Sequence, residues 1–457
     1  MPQPTFDRRN LLTAGASLAA LIAAAPEALA KPGRKPNIII VLADDLGYGD
    51  VGAFGGKLIH TPSLDRMAKE GVLLSTFYAS ANICTPSRAG LLTGRYPIRT
   101  GLAYEVIQPN DTNGLPLSEI TIAEALKPDY ATALIGKWHL GHVAPFWPPT
   151  VQGFDLFFGL PYSHDMKPLA LYTAEPGVEL TKEDVDFKQL TARFFARGLR
   201  FIQDNKDRPF FLMLALTAPH EPENPHPDHA GKSKAAAFGD VVEEVDENVG
   251  RLLARLKALG LESDTLVIVT SDNGPWFEGS VGPFRDRKGG EGWEGGYRVP
   301  FIARQPGTIP AGIVSNALAM NIDFMPTIMA WTGRASPAVE IDGKDISPLL
   351  KTRGAKSPHD ELILFNNEKV AAIRTQDWKL VVRSYYRTLD LPIEQYGYAH
   401  LVDVKADPGE AYNVAALHPD VMKEMMARVD RARRTFEPLG LKQVPDRLPN
   451  KGQARSD

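Results

Sequence analysis

Four runs of apolar residues, the first mostly β-branched, punctuate the chain, at positions 37–42, 131–135, 209–216 and 265–270. Runs without polar alternation are the pattern of strands buried on both faces of a parallel sheet. Between them, apolar residues recur at helical spacing in 61–70, 121–126, 191–205 and 241–259. The first of these has Pro62 near its start and Leu64, Met67 and Ala68 on one face, and the last carries a stripe of Val242, Val245, Val249, Leu252, Leu253 and Leu256. Residues 72–78 and 299–303 read as further strands. The alternation predicts an α/β fold on a large mixed, mostly parallel sheet sandwiched by helices. From about position 357 the texture changes to short alternating segments at 362–366, 370–375, 378–383 and 399–404, as in a small antiparallel sheet, with a helix over 419–435. The expected organisation is a main domain over 31–355, a C-terminal subdomain over 356–440 and a polar, poorly ordered tail over 441–457.

The four buried runs share a second feature. Each ends in polar or charged groups: Asp44 and Asp45, Lys137 and His139, His220, and Asp272 and Asn273. If the strands are parallel neighbours, all four sets meet at one sheet edge, where ligands of open α/β sheets gather. Adjacent carboxylates at a strand end are costly unless they are solvated in a turn or hold a cation. Read as strand continuation, Lys137 and His139 point to the same side. His220 reads either as a turn histidine or as part of this edge, and His226 and His229 in the Pro-rich loop beyond it are poorer candidates. The histidine spacing fits no standard zinc pattern.

One cysteine, Cys84, occurs in 457 residues, which excludes an intrachain disulfide framework. It opens the run Cys84-Thr85-Pro86-Ser87-Arg88, and Pro86 suits the first turn of a helix. Cys84 then sits at a helix start, with Arg88 one turn further in. That placement is open to two readings, a thiolate nucleophile or a small buried residue. The formal net charge of −4 does not suggest a nucleic-acid partner. At the N-terminus, Arg8-Arg9 precedes a short alanine-rich apolar stretch ending in Ala28-Leu29-Ala30, the pattern of a twin-arginine export signal over 1–30 rather than a membrane anchor. The expected mature chain starts near Lys31, in a bacterial periplasm or outside the cell.

The run from Cys84 to Arg95, Cys-x-Pro-x-Arg followed by Leu-Thr-Gly-Arg, resembles the signature of the type I, formylglycine-dependent sulfatases of the arylsulfatase A kind, in the alkaline phosphatase superfamily. The resemblance extends to Gly136-Lys137-Trp138-His139-Leu140-Gly141, to 159–165 around Ser163, to the Gly-rich 283–296 with Glu294-Gly295-Gly296, to 323–327 with a structural Asp323, and to Asp407-Pro408-Gly409-Glu410. It implies that a separate maturation enzyme oxidises Cys84 to formylglycine (3-oxoalanine). It implies a metal site of Asp44, Asp45, Asp272, Asn273 and residue 84, and these hard oxygen donors suit Ca²⁺, ahead of Mg²⁺, rather than zinc. It implies roles for Arg88 in positioning the nucleophile, for Lys137 and Lys288 in neutralising the sulfate, for His220 with Lys288 in protonating the leaving oxygen, for His139 as the base that releases sulfate, and for Ser163 in touching substrate. This chain has one extra residue between the lysine and Glu294, so Arg287 competes with Lys288 for that place. The expected function is hydrolysis of an aryl or carbohydrate sulfate ester. The alternatives are a phosphate or phosphonate ester hydrolase of the same superfamily and a catalytically silent calcium-binding module. Trp147, Trp276 and Trp293 read either as a sugar or aryl pocket or as core packing.

Overall fold

A computed structural model of the chain describes residues 34–386 and 389–442. The expected leader over 1–30 and all but the first two residues of the expected tail lie outside them. No helix of the described residues is long and apolar enough to cross a membrane.

The central sheet has ten strands among the described residues. In chain order they are β1 (Asn37–Asp44), β2 (Val72–Leu74), then, after a short β3 (Phe77–Tyr78) outside the sheet, β4 (Ala131–Lys137), β5 (Leu156–Leu160), β6 (Leu171–Ala174), β7 (Thr181–Glu183), β8 (Phe210–Pro219), β9 (Thr265–Ser271), β10 (Phe301–Arg304) and β11 (Ile313–Ser315). The spatial order is β11-β2-β10-β9-β1-β8-β4-β5-β6-β7. The neighbours β9, β1, β8, β4 and β5 are all parallel. The four apolar runs are therefore adjacent, as their patterning requires. The fifth strand begins at Phe301, two residues later than the sequence suggests, and runs antiparallel to β9. The single strand expected over 72–78 divides into β2 and β3, and β3 pairs with β12 (Ala319–Met320) rather than with the main sheet.

Residues of β1 alternate between two cores. Ile38, Ile40 and Leu42 pack on one face with α2 (Cys84–Thr93), α3 (Ile122–Leu126), α7 (Phe324–Trp331) and α8 (Ser347–Lys351); Ile39 and Val41 pack on the other with α1 (Pro62–Glu70), α4 (Leu190–Asp204) and α5 (Ala236–Ala258). Both faces are apolar because neither meets water. At the start of α3, Thr121 accepts from the Glu124 amide and Glu124 accepts from the Thr121 amide, a reciprocal capping box that fixes the start of this short helix.

The antiparallel sheet expected near the C-terminus is present, as β13 (Leu362–Asn366), β14 (Lys369–Arg374), β15 (Trp378–Val381) and β18 (His400–Asp403), in that order. A separate hairpin of β16 (Ser384–Tyr386) and β17 (Leu389–Leu391) intervenes in sequence, and α9 (Pro419–Phe436) packs Met425, Val429 and Phe436 into the same core. The two sheets are joined by buried charges. The Glu294 carboxylate, in the short helix α6 (Glu294–Tyr297), accepts from Lys379 Nζ at 2.9 Å and Tyr78 Oη at 2.7 Å, and Lys379 Nζ also lies 2.7 Å from Glu410 Oε1. Burial opposes ionisation of Glu294, but Lys379, Arg298 and Arg374 outweigh it and hold the carboxyl far below the ordinary range.

Candidate active site

Strand register brings the polar strand ends together. Asp44 at the end of β1 pairs with Pro219 of β8, next to His220, and Ala43 pairs with Ser271 of β9, next to Asp272. Gly136 of β4 pairs with Ala215 of β8, and Lys137 follows. Gly136 has φ 117°, and a Cβ there would collide with the Ala215 carbonyl oxygen, so only glycine brings β4 this close.

Asp44 and Asp45 are buried, which rules out the solvated turn. Asp45 adopts φ 67°, the left-handed bend that turns the chain at the edge. Lys137 Nζ donates to Asp44 Oδ2 at 2.7 Å, and Lys288 Nζ donates to Asp45 Oδ2 at 2.7 Å. Arg88 lies fully buried in α2. Its Nε donates to Asp272 Oδ2 at 2.9 Å, one Nη donates to the Lys137 carbonyl at 2.8 Å, and the other lies 3.6 Å from Asp44 Oδ1. Three carboxylates thus face three fixed cations. Burial raises Asp45, against the Lys288 charge, and pushes Asp272 up to about 6, against Arg88. Burial would raise Asp44 too, but Lys137, His220, Arg88 and Lys288 together hold it well below the ordinary carboxylate range.

Helix α2 begins at Cys84 as the Pro86 signal predicts, with every residue buried. Cys84 Sγ lies 3.5 Å from Asp44 Oδ1. Burial pushes its thiol up to about 12, despite Lys137 and Lys288 nearby. Desolvation of this kind works against a thiolate at Cys84.

The strand reading of His139 also requires correction. β4 ends at Lys137, and His139 lies in a left-handed turn at φ 61°. Its Nε2 donates to the Ile107 carbonyl at 3.1 Å, since a carbonyl only accepts, and this leaves Nδ1 unprotonated, buried and without a partner. Burial, then the charges of Lys137 and Arg88, hold its pKa well below the ordinary imidazole value. His220 donates from Nδ1 to the Glu221 carbonyl and places Nε2 3.7 Å from Asp45 Oδ2, the oxygen that Lys288 also holds. It belongs to the cluster and is not a mere turn residue.

The remaining expectations separate in space. Arg287 donates to the carbonyls of Trp276 and Phe277, which leaves Lys288 as the lysine of the cluster. Ser163 is buried in the segment after β5, where its neighbour His164 packs edge-on against His220 with ring centres 5.6 Å apart. His226 and His229 face the acidic side chains of α5: the His226 amide donates to Glu244, and His229 Nε2 is 3.4 Å from Glu247. Asp323 accepts from the Met320 and Lys344 amides and pairs with His359 at 2.8 Å, a structural role.

The donor set fits a hard cation. Ligand atoms of Asp44, Asp45 and Cys84 lie within 4.8 Å of one another, and Asn273 Oδ1 is buried without a hydrogen-bond partner while its Nδ2 donates to Asp45 Oδ1 at 2.6 Å. An orphaned amide oxygen beside buried carboxylates is the feature that a divalent cation would satisfy.

Sequence reasoning missed a ring of amides around the cluster. Asn321 donates to Ser87 Oγ at 2.8 Å and accepts from the Ser80 amide at 3.0 Å, pinning α2. Asn82 Nδ2 bridges the Gly290 carbonyl at 2.8 Å and Asn366 Oδ1 at 3.1 Å, and Asn366 Nδ2 donates to Glu291 Oε1 at 2.9 Å. The only local signals were that Asn82 lies two residues before Cys84 and Asn321 two before Asp323.

A model of the Sulfatase family matches residues 36–334, and a model described as N-sulphoglucosamine sulphohydrolase, C-terminal, matches residues 291–435. The chain is 38% identical to arylsulfatase A of Homo sapiens, over 86% of this chain and 86% of the relative. It is 33% identical to steryl-sulfatase of Mus musculus, over 98% of this chain and 89% of the relative. Among solved structures it is similar to the PsFucS1 sulfatase from Pseudoalteromonas sp., with a TM-score of 0.80 at 30% identity over 88% of this chain and 91% of that one. It is also similar to a protein solved with its substrate D-glucosamine-2-N,6-O-disulfate, with a TM-score of 0.70 at 25% identity over 92% of this chain and all of the other (100%). Since the family match takes in every strand end and loop that supplies the cluster, from Asp44 to Lys288, this chain belongs to the sulfatase family.

Proposed function

We propose that this sulfuric ester hydrolase cleaves carbohydrate sulfate monoesters through a formylglycine made from Cys84, at a site that takes Ca²⁺. The observation that carries the reading is the environment of residue 84: a buried side chain at the start of α2, placed where Asp44, Lys137, Lys288 and Arg88 converge. The carbohydrate class draws on the relative solved with a disulfated glucosamine. When present, formylglycine supplies a hydrated aldehyde oxygen as nucleophile, and a hard divalent cation neutralises charge. Asp44, Asp45, Asp272 and Asn273 would hold that cation. With three carboxylates already matched by three cations, the loaded site would be net positive and would attract an anionic ester.

The chain's own residues divide the remaining work. Arg88, fixed by Asp272 and the Lys137 carbonyl, orients the attacking side chain. Lys137 and Lys288 stabilise charge on the sulfate oxygens. His220 and Lys288 share Asp45 Oδ2 and act as the pair that delivers a proton to the leaving alcohol. His139, kept neutral with Nδ1 free, is the base that accepts a proton as sulfate departs. Ser163, whose neighbour His164 packs against His220, contacts the substrate. The paired arginines and the Ala28-Leu29-Ala30 site support twin-arginine export to the periplasm or beyond, after maturation in the cell.

The test is the mass of the tryptic peptide containing residue 84, from active protein, with parallel assays of sulfate and phosphate esters. The expected peptide is lighter by the difference between a thiol and an aldehyde, and sulfate esters are the preferred substrates. An unmodified thiol in active protein would overturn the mechanism, and preference for phosphate esters would favour the phosphatase or phosphonatase alternative.

A further inference from the structure

The loop that carries Lys288 runs on to Trp293, which lines a separate cavity of about 410 Å³ that none of the catalytic candidates touches. Its other walls come from the C-terminal region: Tyr385, Tyr396, Tyr398 and His400, with Arg285 from the loop itself. Trp293 is locked in place. Its Nε1 donates to Ser384 Oγ at 3.0 Å, the Arg285 guanidinium lies 3.7 Å from its ring centre, and the His400 ring packs edge-on at 5.3 Å. His400 Nε2 is buried without a hydrogen-bond partner. Around this fixed floor, Tyr385, Tyr396 and Tyr398 are 47%, 54% and 71% exposed. Tyr396 and Tyr398, open to water beside a rigid indole, form an apolar surface suited to covering a ligand, while the Tyr385 hydroxyl is engaged by Glu291 and Asn366.

The chemistry of the walls selects that ligand. Flat aromatic faces take the C–H face of a ring, while tyrosine hydroxyls, an imidazole nitrogen and a guanidinium take its polar edge. A purely apolar occupant would leave His400 Nε2 desolvated without a partner. The Arg285 guanidinium, which donates to the Glu410 carbonyl at 3.0 Å, suits an occupant bearing acidic groups. Trp293 lies five positions after Lys288, a span of at most roughly 18 Å. The cavity is therefore within reach of an oligosaccharide whose ester lies at the catalytic cluster.

We propose that this cavity is a subsite for a sugar ring of an anionic, sulfated glycan, one or more units removed from the ester being cleaved. The proposal rests on the carbohydrate reading of the substrate above. The test compares the mature enzyme with Tyr396→Ala/Tyr398→Ala, whose exposed side chains leave the core intact, on two substrates: an aryl sulfate and sulfated oligosaccharides of carrageenan and glycosaminoglycan type. The expected result is a loss of about tenfold or more in kcat/KM on the oligosaccharide, carried by KM, with the aryl sulfate unaffected. Equal losses on both substrates, or no loss on the oligosaccharide, would overturn the proposal while leaving the carbohydrate reading standing. Hydrolysis of aryl sulfate with no turnover of any sulfated glycan by the unaltered enzyme would overturn the carbohydrate reading, and this proposal with it.

Discussion

Replacement of Lys137 by methionine keeps the length of the side chain and removes its charge. Lys137 Nζ and Asp44 Oδ2 are 2.7 Å apart, and both side chains are fully buried. Removing one member of such a pair strands the other and costs about 3–5 kcal/mol. Arg88 still lies 3.6 Å from Asp44, so the expected loss is at the lower end, about 3 kcal/mol. Urea unfolding of the chelator-treated protein should show it as a lower midpoint at unchanged slope. Loss of an ammonium aimed at the sulfate should also lower kcat by about 10²–10³-fold, the magnitude of removing one preorganised donor. The acid limb gives an independent check. Burial opposes ionisation of Asp44, but Lys137 and then His220, Arg88 and Lys288 hold it well below the ordinary carboxylate range. A folded pKa below the unfolded one gives stability that is present above the ordinary carboxylate range and lost as pH falls through the folded value. In Lys137→Met the largest attractive charge is gone, so the folded value moves up and that loss should be smaller and complete at a higher pH. Unchanged urea stability together with an unchanged acid limb would refute the buried-pair argument.

Other perturbations test separate parts of the edge. Gly136→Ala places a side chain against the Ala215 carbonyl at φ 117°, so it should destabilise the fold by roughly 2–4 kcal/mol and lower activity by moving Lys137; a thermal melt and an aryl sulfate assay would detect both, and a neutral result would show that the strands have slack. Asn321→Ala strands the Ser80 amide and removes a donor from Ser87 Oγ, which keeps its bond to the Asp272 carbonyl, and should cost about 1–3 kcal/mol in urea unfolding. His139→Gln should reduce kcat by about 10²–10⁴-fold. Because burial, with Lys137 and Arg88, holds the folded His139 pKa below the unfolded one, its contribution to stability is present above the ordinary imidazole range and lost as pH falls below it; the variant should unfold with a flatter pH dependence there. Chelation should lower the melting temperature and activity, and Ca²⁺ at 100 times its Kd should restore about 2.7 kcal/mol.

The central strands were readable because burial on both faces leaves no polar alternation, and the start of α2 was readable because proline has few places in a helix. The corrections come from backbone features without a pattern. His139 looks like strand continuation until its left-handed turn is seen, and nothing in the local sequence separates Lys288 from Arg287 before the loop closes over Asp45. The amides Asn82, Asn321 and Asn366 were illegible for a different reason. Each is an ordinary polar residue with a partner 200 or more positions away, so its importance exists only in the folded contact. At Cys84 the helix start left a thiolate and a small buried residue both open, and the burial of the side chain became legible only in the fold.

The buried charges between the two sheets bear on how this chain can be recombined with others. Glu294 comes from one side of the junction, and Lys379 and Glu410 from the other. A chimaera cut between them would leave at least one charge without its counterion in a site that water does not reach. The C-terminal sheet is therefore not an interchangeable cassette, although it has its own strands and helix. A workable graft has to carry the Glu294 helix along with the sheet while leaving Lys288 with Asp45, so the seam for exchange lies between Lys288 and Glu294.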